Sequence, residues 1–225
     1  MSLASILREG TSEEHKAAES SAFIRCFMKG VLEKGTYARH LEAFYFVYES
    51  MEEELERHKD NAVLQSIYFP ELYRKKALLE DLHFFYGTWK SIDRQPTAAT
   101  QVYVKRIRKI SETQPELLAA HSYVRYLGDL SGGQILKKVA ARALSLPEGK
   151  GISFYEFPLI GDINGFKQNY RAALDALPVN DSEKQSILAE SKQVFLLNQG
   201  IFFELERDLL SAIGKETYDT VLGKG

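Results

Sequence analysis

Tyr37, Leu41, Phe44, Tyr48, Met51 and Leu55 recur at alternating intervals of four and three residues. That spacing lays one apolar stripe along about five turns of a helix. A half-buried strand needs strict alternation, and almost no stretch of the chain keeps a period of two. The six prolines fall mostly at segment edges, so the helical period is free to continue elsewhere. The expected fold is therefore all-α.

Boundary signals divide the chain into segments. Thr11 to Glu14 has the form of a capping box, which predicts a helix running on to the turn near Gly30. Thr36 is the expected cap of the striped helix. Lys75 to Tyr86 reads as a helix stopped at Gly87, and Thr97 to Ile110 as another. Pro115 suits the first turn of a long helix through Leu118, Val124, Leu127, Ile135, Val139 and Leu144. Gly149 to Gly165 is loop-like, followed by a short helix around Phe166 to Leu177 that Pro178 ends. Ser182 with Gln185 is the expected cap of a last helix with the stripe Leu188, Phe195, Phe202, Leu205 and Leu209. With no repeat or linker, residues 1–225 form one domain, with flexible ends expected over about 1–10 and 212–225.

The 225 residues carry a formal charge of −2, which supplies no strong global field for nucleic acid or a membrane surface. No apolar run approaches the roughly 20 residues of a spanning helix. The single cysteine, Cys26, excludes an internal disulfide and suits a reducing compartment. A cytoplasmic protein is expected.

The sharpest local anomaly is Gly128, Gly132 and Gly133 within an otherwise good helical pattern. Interior glycines cost roughly 1 kcal/mol each relative to alanine. Two readings offset that cost: a break between closely packed helices, or bare backbone against which a flat ligand lies. Asp129 sits inside the break, either as a cap or as a carboxylate organising water. His15 lies in the first turn of its helix with Glu19 one turn later. A carboxylate accepting from one imidazole nitrogen leaves the other free for a metal, although a solvated histidine is the ordinary alternative. Lys167 and Arg171 stand four apart around Tyr170, as a solvated basic face or as a clamp for ligand carboxylates. His40 and His58 read as exposed helix residues, and His83 and His121 lack evident partners.

Together these pieces resemble the heme oxygenase family. Glu13-Glu14-His15-Lys16-Ala17-Ala18-Glu19 resembles the proximal-helix segment. The run from Pro115 to Gln134, through Tyr123-Val124-Arg125-Tyr126-Leu127-Gly128-Asp129-Leu130-Ser131-Gly132-Gly133, closely resembles the distal-helix signature. Phe166-Lys167-Gln168-Asn169-Tyr170-Arg171 resembles the propionate-binding segment. Tyr68 to Leu72 and Phe195 to Asn198 extend the likeness over nearly the whole chain.

The resemblance implies that heme b, substrate and cofactor at once, sits between a proximal and a kinked distal helix. His15 would be the only protein ligand to iron, with Glu19 beside it. Gly128, Gly132 and Gly133 would admit the other face, and Asp129 would hold a water network supported by Tyr123 and Arg125. Lys167, Tyr170, Arg171 and Arg8 would meet the propionates, and Phe195, Asn198 and Phe202 would line the cleft. Ser12 and Val124 stand where relatives carry a lysine and a threonine. The implied reaction consumes O2 and electrons from an external donor such as ferredoxin. It cuts the α-meso carbon to give biliverdin IXα, carbon monoxide and Fe2+, with a bilin reductase as a downstream partner. The alternative is a non-catalytic heme carrier or sensor of the same fold. A di-iron carboxylate enzyme needs paired Glu-x-x-His motifs, and only Glu80 to His83 supplies one.

Overall fold

The computed structural model describes residues 1–223, and among these there are helices and turns but no strand. The chain runs through α1 (Leu3–Gly10), α2 (Ser12–Glu19), α3 (Ala22–Met28) and α4 (Lys34–Arg57). It continues through α5 (Lys75–Tyr86), α6 (Ala98–Thr113), α7 (Leu118–Asp129) and α8 (Gly132–Ala143). The last helices are α9 (Ile163–Asp175), α10 (Asp181–Ile213) and α11 (Lys215–Leu222).

All six stripe residues of α4 are buried, which packs this helix against α5 and α6. Its N-terminus is capped by Glu33, whose carboxylate accepts from Gly35 N at 2.7 Å and Thr36 N at 2.8 Å. Thr36, the expected cap, is buried one turn inside. A carboxylate reaching two donors at the positive end of a helix outcompetes a hydroxyl. The same correction applies to α10, where Asn180 and Glu183 form the capping box and Ser182 and Gln185 do not.

Thr11 makes no side-chain cap, because its hydroxyl donates back to Leu7 O at 2.7 Å and closes α1. Glu14 turns away to Lys192 on α10. The helix expected to reach Gly30 is broken at Ser20 and Ser21, whose hydroxyls donate to Ala17 O and Ala18 O. Pro115 opens a 3-10 turn ahead of α7, and α5 ends at Gly87, whose φ of 74° only glycine adopts freely. The ends expected to be flexible are folded where they are described. Leu3 and Leu7 of α1, and Tyr218 and Leu222 of α11, are buried because each short helix has an apolar side that needs covering. Lys224 and Gly225 lie outside the described residues.

The 33-residue α10 is the element that positions the site. It packs against α1, α2, α3, α4, α6 and α7, so side chains from both ends of the sequence meet along one rod.

Candidate active site

The distal pattern folds as two helices. α7 stops at Asp129, and Ser131 leads into α8 with a non-helical φ of −119° and ψ of −90°. Gly128 and Gly132 are exposed, and a Cβ added to either meets nothing within 4 Å. Their missing side chains therefore leave open backbone rather than a packed seam. Gly133 differs: it is buried, and a Cβ there comes within 3.3 Å of the Tyr155 ring. Close packing therefore describes Gly133, and open backbone describes Gly128 and Gly132.

Asp129 points into a closed polar cluster. It accepts from the Tyr48 hydroxyl and from Arg125 Nη2 at 3.1 Å. Arg125 Nε donates to Tyr48 at 3.0 Å, and its Nη1 donates to Asn198 Oδ1 at 3.0 Å. The guanidinium also lies 4.2 Å from the centre of the Phe44 ring, a cation–π contact from α4. Burial raises the Asp129 carboxyl above the usual range, with Arg125, Tyr48 and Arg74 acting against it. Burial disfavours the Arg125 cation, but Tyr48, Asp129 and Tyr103 outweigh it and hold the proton on.

The proximal elements are open. The His15 side chain is 56% exposed, with Nδ1 at 3.5 Å from Glu19 Oε2 and an edge-on contact to Phe195 at 5.8 Å. Phe195 and Asn198 lie three residues apart on α10. One turn of that helix therefore touches His15 with one side chain and Arg125 with the other. Phe202, two turns on, is buried among Phe23, His40 and Phe44.

On α9, Arg171 is exposed and Lys167 is half-buried. Tyr170 is not with them. It is fully buried and its hydroxyl is 2.6 Å from Ser122 Oγ, so it ties α9 to α7 and has no oxygen free for a carboxylate at the rim. Tyr123 is half-buried at the basic end: burial raises its phenol pKa, while Arg171 and Arg8 pull it down. It therefore belongs with those cations, whereas the hydrogen bonds to Asp129 come from Tyr48 and Arg125. Ser12 is exposed and Val124 buried.

The comparisons with known proteins decide the family. The heme oxygenase family profile matches residues 1–204. A heme oxygenase of Guillardia theta is 50% identical over 214 residues, which are 95% of this chain and 90% of that protein. The chain belongs to the heme oxygenase family. The solved heme oxygenase of Leptospira interrogans is 89% identical, with a TM-score of 0.89 over 91% of this chain and 100% of that one. Heme oxygenase-1 of Synechocystis, solved in complex with heme, is 48% identical, with a TM-score of 0.92 over 98% of this chain and 100% of its own. Like its relatives, this heme oxygenase is an enzyme with an all-helical fold.

Several residues escaped the sequence reading. Tyr48 was visible only as a stripe position, and nothing in its spacing signals the hydroxyl bond to a residue 81 positions away. His40 is buried, not exposed, among Phe23, Phe27, Tyr37 and Phe44, and burial, with Arg125, lowers its pKa to about 3. It lies three residues after Tyr37 and four before Phe44, which is the buried face. His58 meets Ser111 Oγ at 2.9 Å, and His83 meets Trp89 O at 3.0 Å. His121 has a partner after all, Glu190 on α10 at 3.0 Å, which also receives Arg106. Burial works against ionising Glu190, but the bonds from His121 and Arg106 hold its pKa at about 2.

Proposed function

We propose that this heme oxygenase binds heme between α2 and the α7–α8 break, with His15 as the iron ligand, and opens the ring at the α-meso carbon to biliverdin IXα. The observation that carries this reading is the adjacency on α10. Phe195 supports the His15 imidazole while Asn198 anchors the Arg125–Asp129 cluster, and bare backbone at Gly128 and Gly132 faces open space. An exposed imidazole whose Nδ1 is engaged by Glu19 has Nε2 available to a metal.

Bound heme supplies the iron that activates O2 and the ring that is opened, releasing carbon monoxide and Fe2+. The chain's own residues set direction and proton supply. Asp129, anchored by Tyr48 and Arg125, keeps lone pairs able to hold a water and orient its proton toward the distal face. Exposed Arg171 and Arg8 and half-buried Lys167 bind the heme carboxylates, and Tyr123 stands beside the two arginines. Anchoring that end fixes which ring edge meets the distal backbone.

Electrons come from an external donor, for which a small acidic protein such as ferredoxin fits exposed Lys16 on α2 and Lys138 and Arg142 on α8. A bilin reductase is the class of enzyme that takes the product onward. A cytoplasmic setting is supported by the buried free Cys26 and by the absence, among the described residues, of any helix long and apolar enough to cross a membrane.

The test is titration with hemin, followed by reductant and O2, in the wild type and in Asp129→Ala. The wild type should develop a Soret band and then biliverdin absorbance with a single isomer. Asp129→Ala should keep the Soret band and lose about 100-fold in ring-opening rate, the scale of a misplaced proton donor. A Soret band with no bilin in the wild type would leave a heme-binding protein and sink the enzymatic reading.

A further inference from the structure

Where α7 stops, its last carbonyls lose their helical partners and need others. Ser131 gives α8 no side-chain cap. The side chain that reaches into the break is Gln134. Its Nε2 donates to Asp129 O at 3.1 Å and to Tyr155 O at 2.9 Å. Both amide hydrogens are thereby used, and because both partners are carbonyls the orientation of the amide is unambiguous.

Tyr155 closes the 3-10 turn Ser153–Tyr155, which Asp81 on α5 holds by accepting from Ser153 N at 2.9 Å and Phe154 N at 2.8 Å. Phe154 stacks on Phe44 at 6.0 Å and meets Tyr48 edge-on at 5.5 Å. Those two rings carry Arg125 and the hydroxyl bond to Asp129. The turn is thus continuous with the shell around the Asp129 carboxylate, and Gln134 joins that shell to the Asp129 main chain.

We infer that Gln134 is a positioning residue: it staples the end of α7 to the Ser153–Tyr155 turn and thereby aims the Asp129 side chain. The neighbouring glycines explain why a staple is needed. Gly128 and Gly132 flank the bend with no side chain to wedge it open or shut, so backbone freedom there is high. The inference rests on the proposed role of Asp129. Its test is made on the protein without heme, so that failure here is separable from failure of the heme chemistry.

Gln134→Met keeps the length of the side chain and removes both donors. Hydrogen exchange resolved by NMR should show the Leu130 and Ser131 amides, bonded in the wild type to Tyr126 O and Gly128 O, exchanging about tenfold faster. Amides of α6 should not change. The Asp129 carboxyl, followed by 13C NMR among its neighbours Arg125, Tyr48 and Arg74, should titrate closer to an ordinary aspartate. Gln134→Lys, whose ammonium can donate to both carbonyls, should restore both readings. If the methionine variant does not fold, Gln134→Glu supplies the comparison, since a carboxylate facing two carbonyls breaks the staple by repulsion. Unchanged exchange at Leu130 and Ser131 with an unchanged Asp129 titration would overturn the inference. Loosening that the lysine variant fails to reverse would overturn it too.

Discussion

Asp129 is met by Tyr48, Arg125 and Gln134 inside a nearly closed shell, whereas α2 has no buried residue and His15 and Glu19 keep more than half of their side-chain surface in solvent. The two regions are thus built to different standards. A cluster of buried, mutually bonded groups holds its geometry before any ligand arrives, which is what proton placement requires. A short helix with little burial of its own takes its order from what binds it. On the proposed binding mode, a ligand at about 100 times its Kd adds about 2.7 kcal/mol to stability, and α2 has the most to gain from it.

The contrast breaks first at Arg125. Arg125→Met leaves the buried Asp129 carboxylate without its cation, and losing one partner of a buried pair costs about 3–5 kcal/mol. Urea unfolding of the heme-free protein measures this. A loss below about 1 kcal/mol would show that the cluster is less closed than its geometry indicates.

The next effect is acid sensitivity behind Phe44. His40 has a folded pKa of about 3, below the ordinary 6.5, so the unfolded chain takes up the proton first. Its contribution is therefore complete above pH 6.5 and falls by about 1.4 kcal/mol per pH unit as the pH drops toward 3. His40→Leu should flatten that part of the stability-versus-pH curve, measured by denaturant melts at a series of pH values. Identical slopes in variant and wild type would place the acid sensitivity elsewhere.

The smallest effect belongs to the proximal side. Lys192→Ala removes the bond to Glu14 that tethers α2 to α10, a pair whose lysine is 41% exposed. The change in thermal stability should stay within about 1 kcal/mol. Calorimetry of the heme-free variant that shows more would mean α2 is held in place ahead of its ligand.

Much of this was legible in the sequence, for reasons that differ by element. The α4 stripe and the Lys75–Tyr86 helix follow from periodicity and a terminal glycine, which are local properties. The glycine cluster was legible as a cost in search of a compensation. Caps were misassigned at Thr36 and Ser182 because several polar residues near a helix start compete, and the geometry of the entering chain decides among them. The bonds of Tyr48 to Asp129, His121 to Glu190 and Tyr170 to Ser122 join residues 48 to 81 positions apart. No local pattern encodes such pairs. The burial of His40 was within reach of a helical-face argument, since Tyr37 and Phe44 flank it on the same side.

The interval between Phe195 and Asn198 has a consequence for how such a chain can diverge. One residue inserted into α10 between them turns everything downstream by about 100° and shifts it by 1.5 Å. The contact with His15 and the contact with Arg125 would then fall on different sides of the rod. The mostly exposed connection 90–97 between α5 and α6 is under no such rotational constraint, so length variation among descendants of this gene should collect there and be purged from the middle of α10.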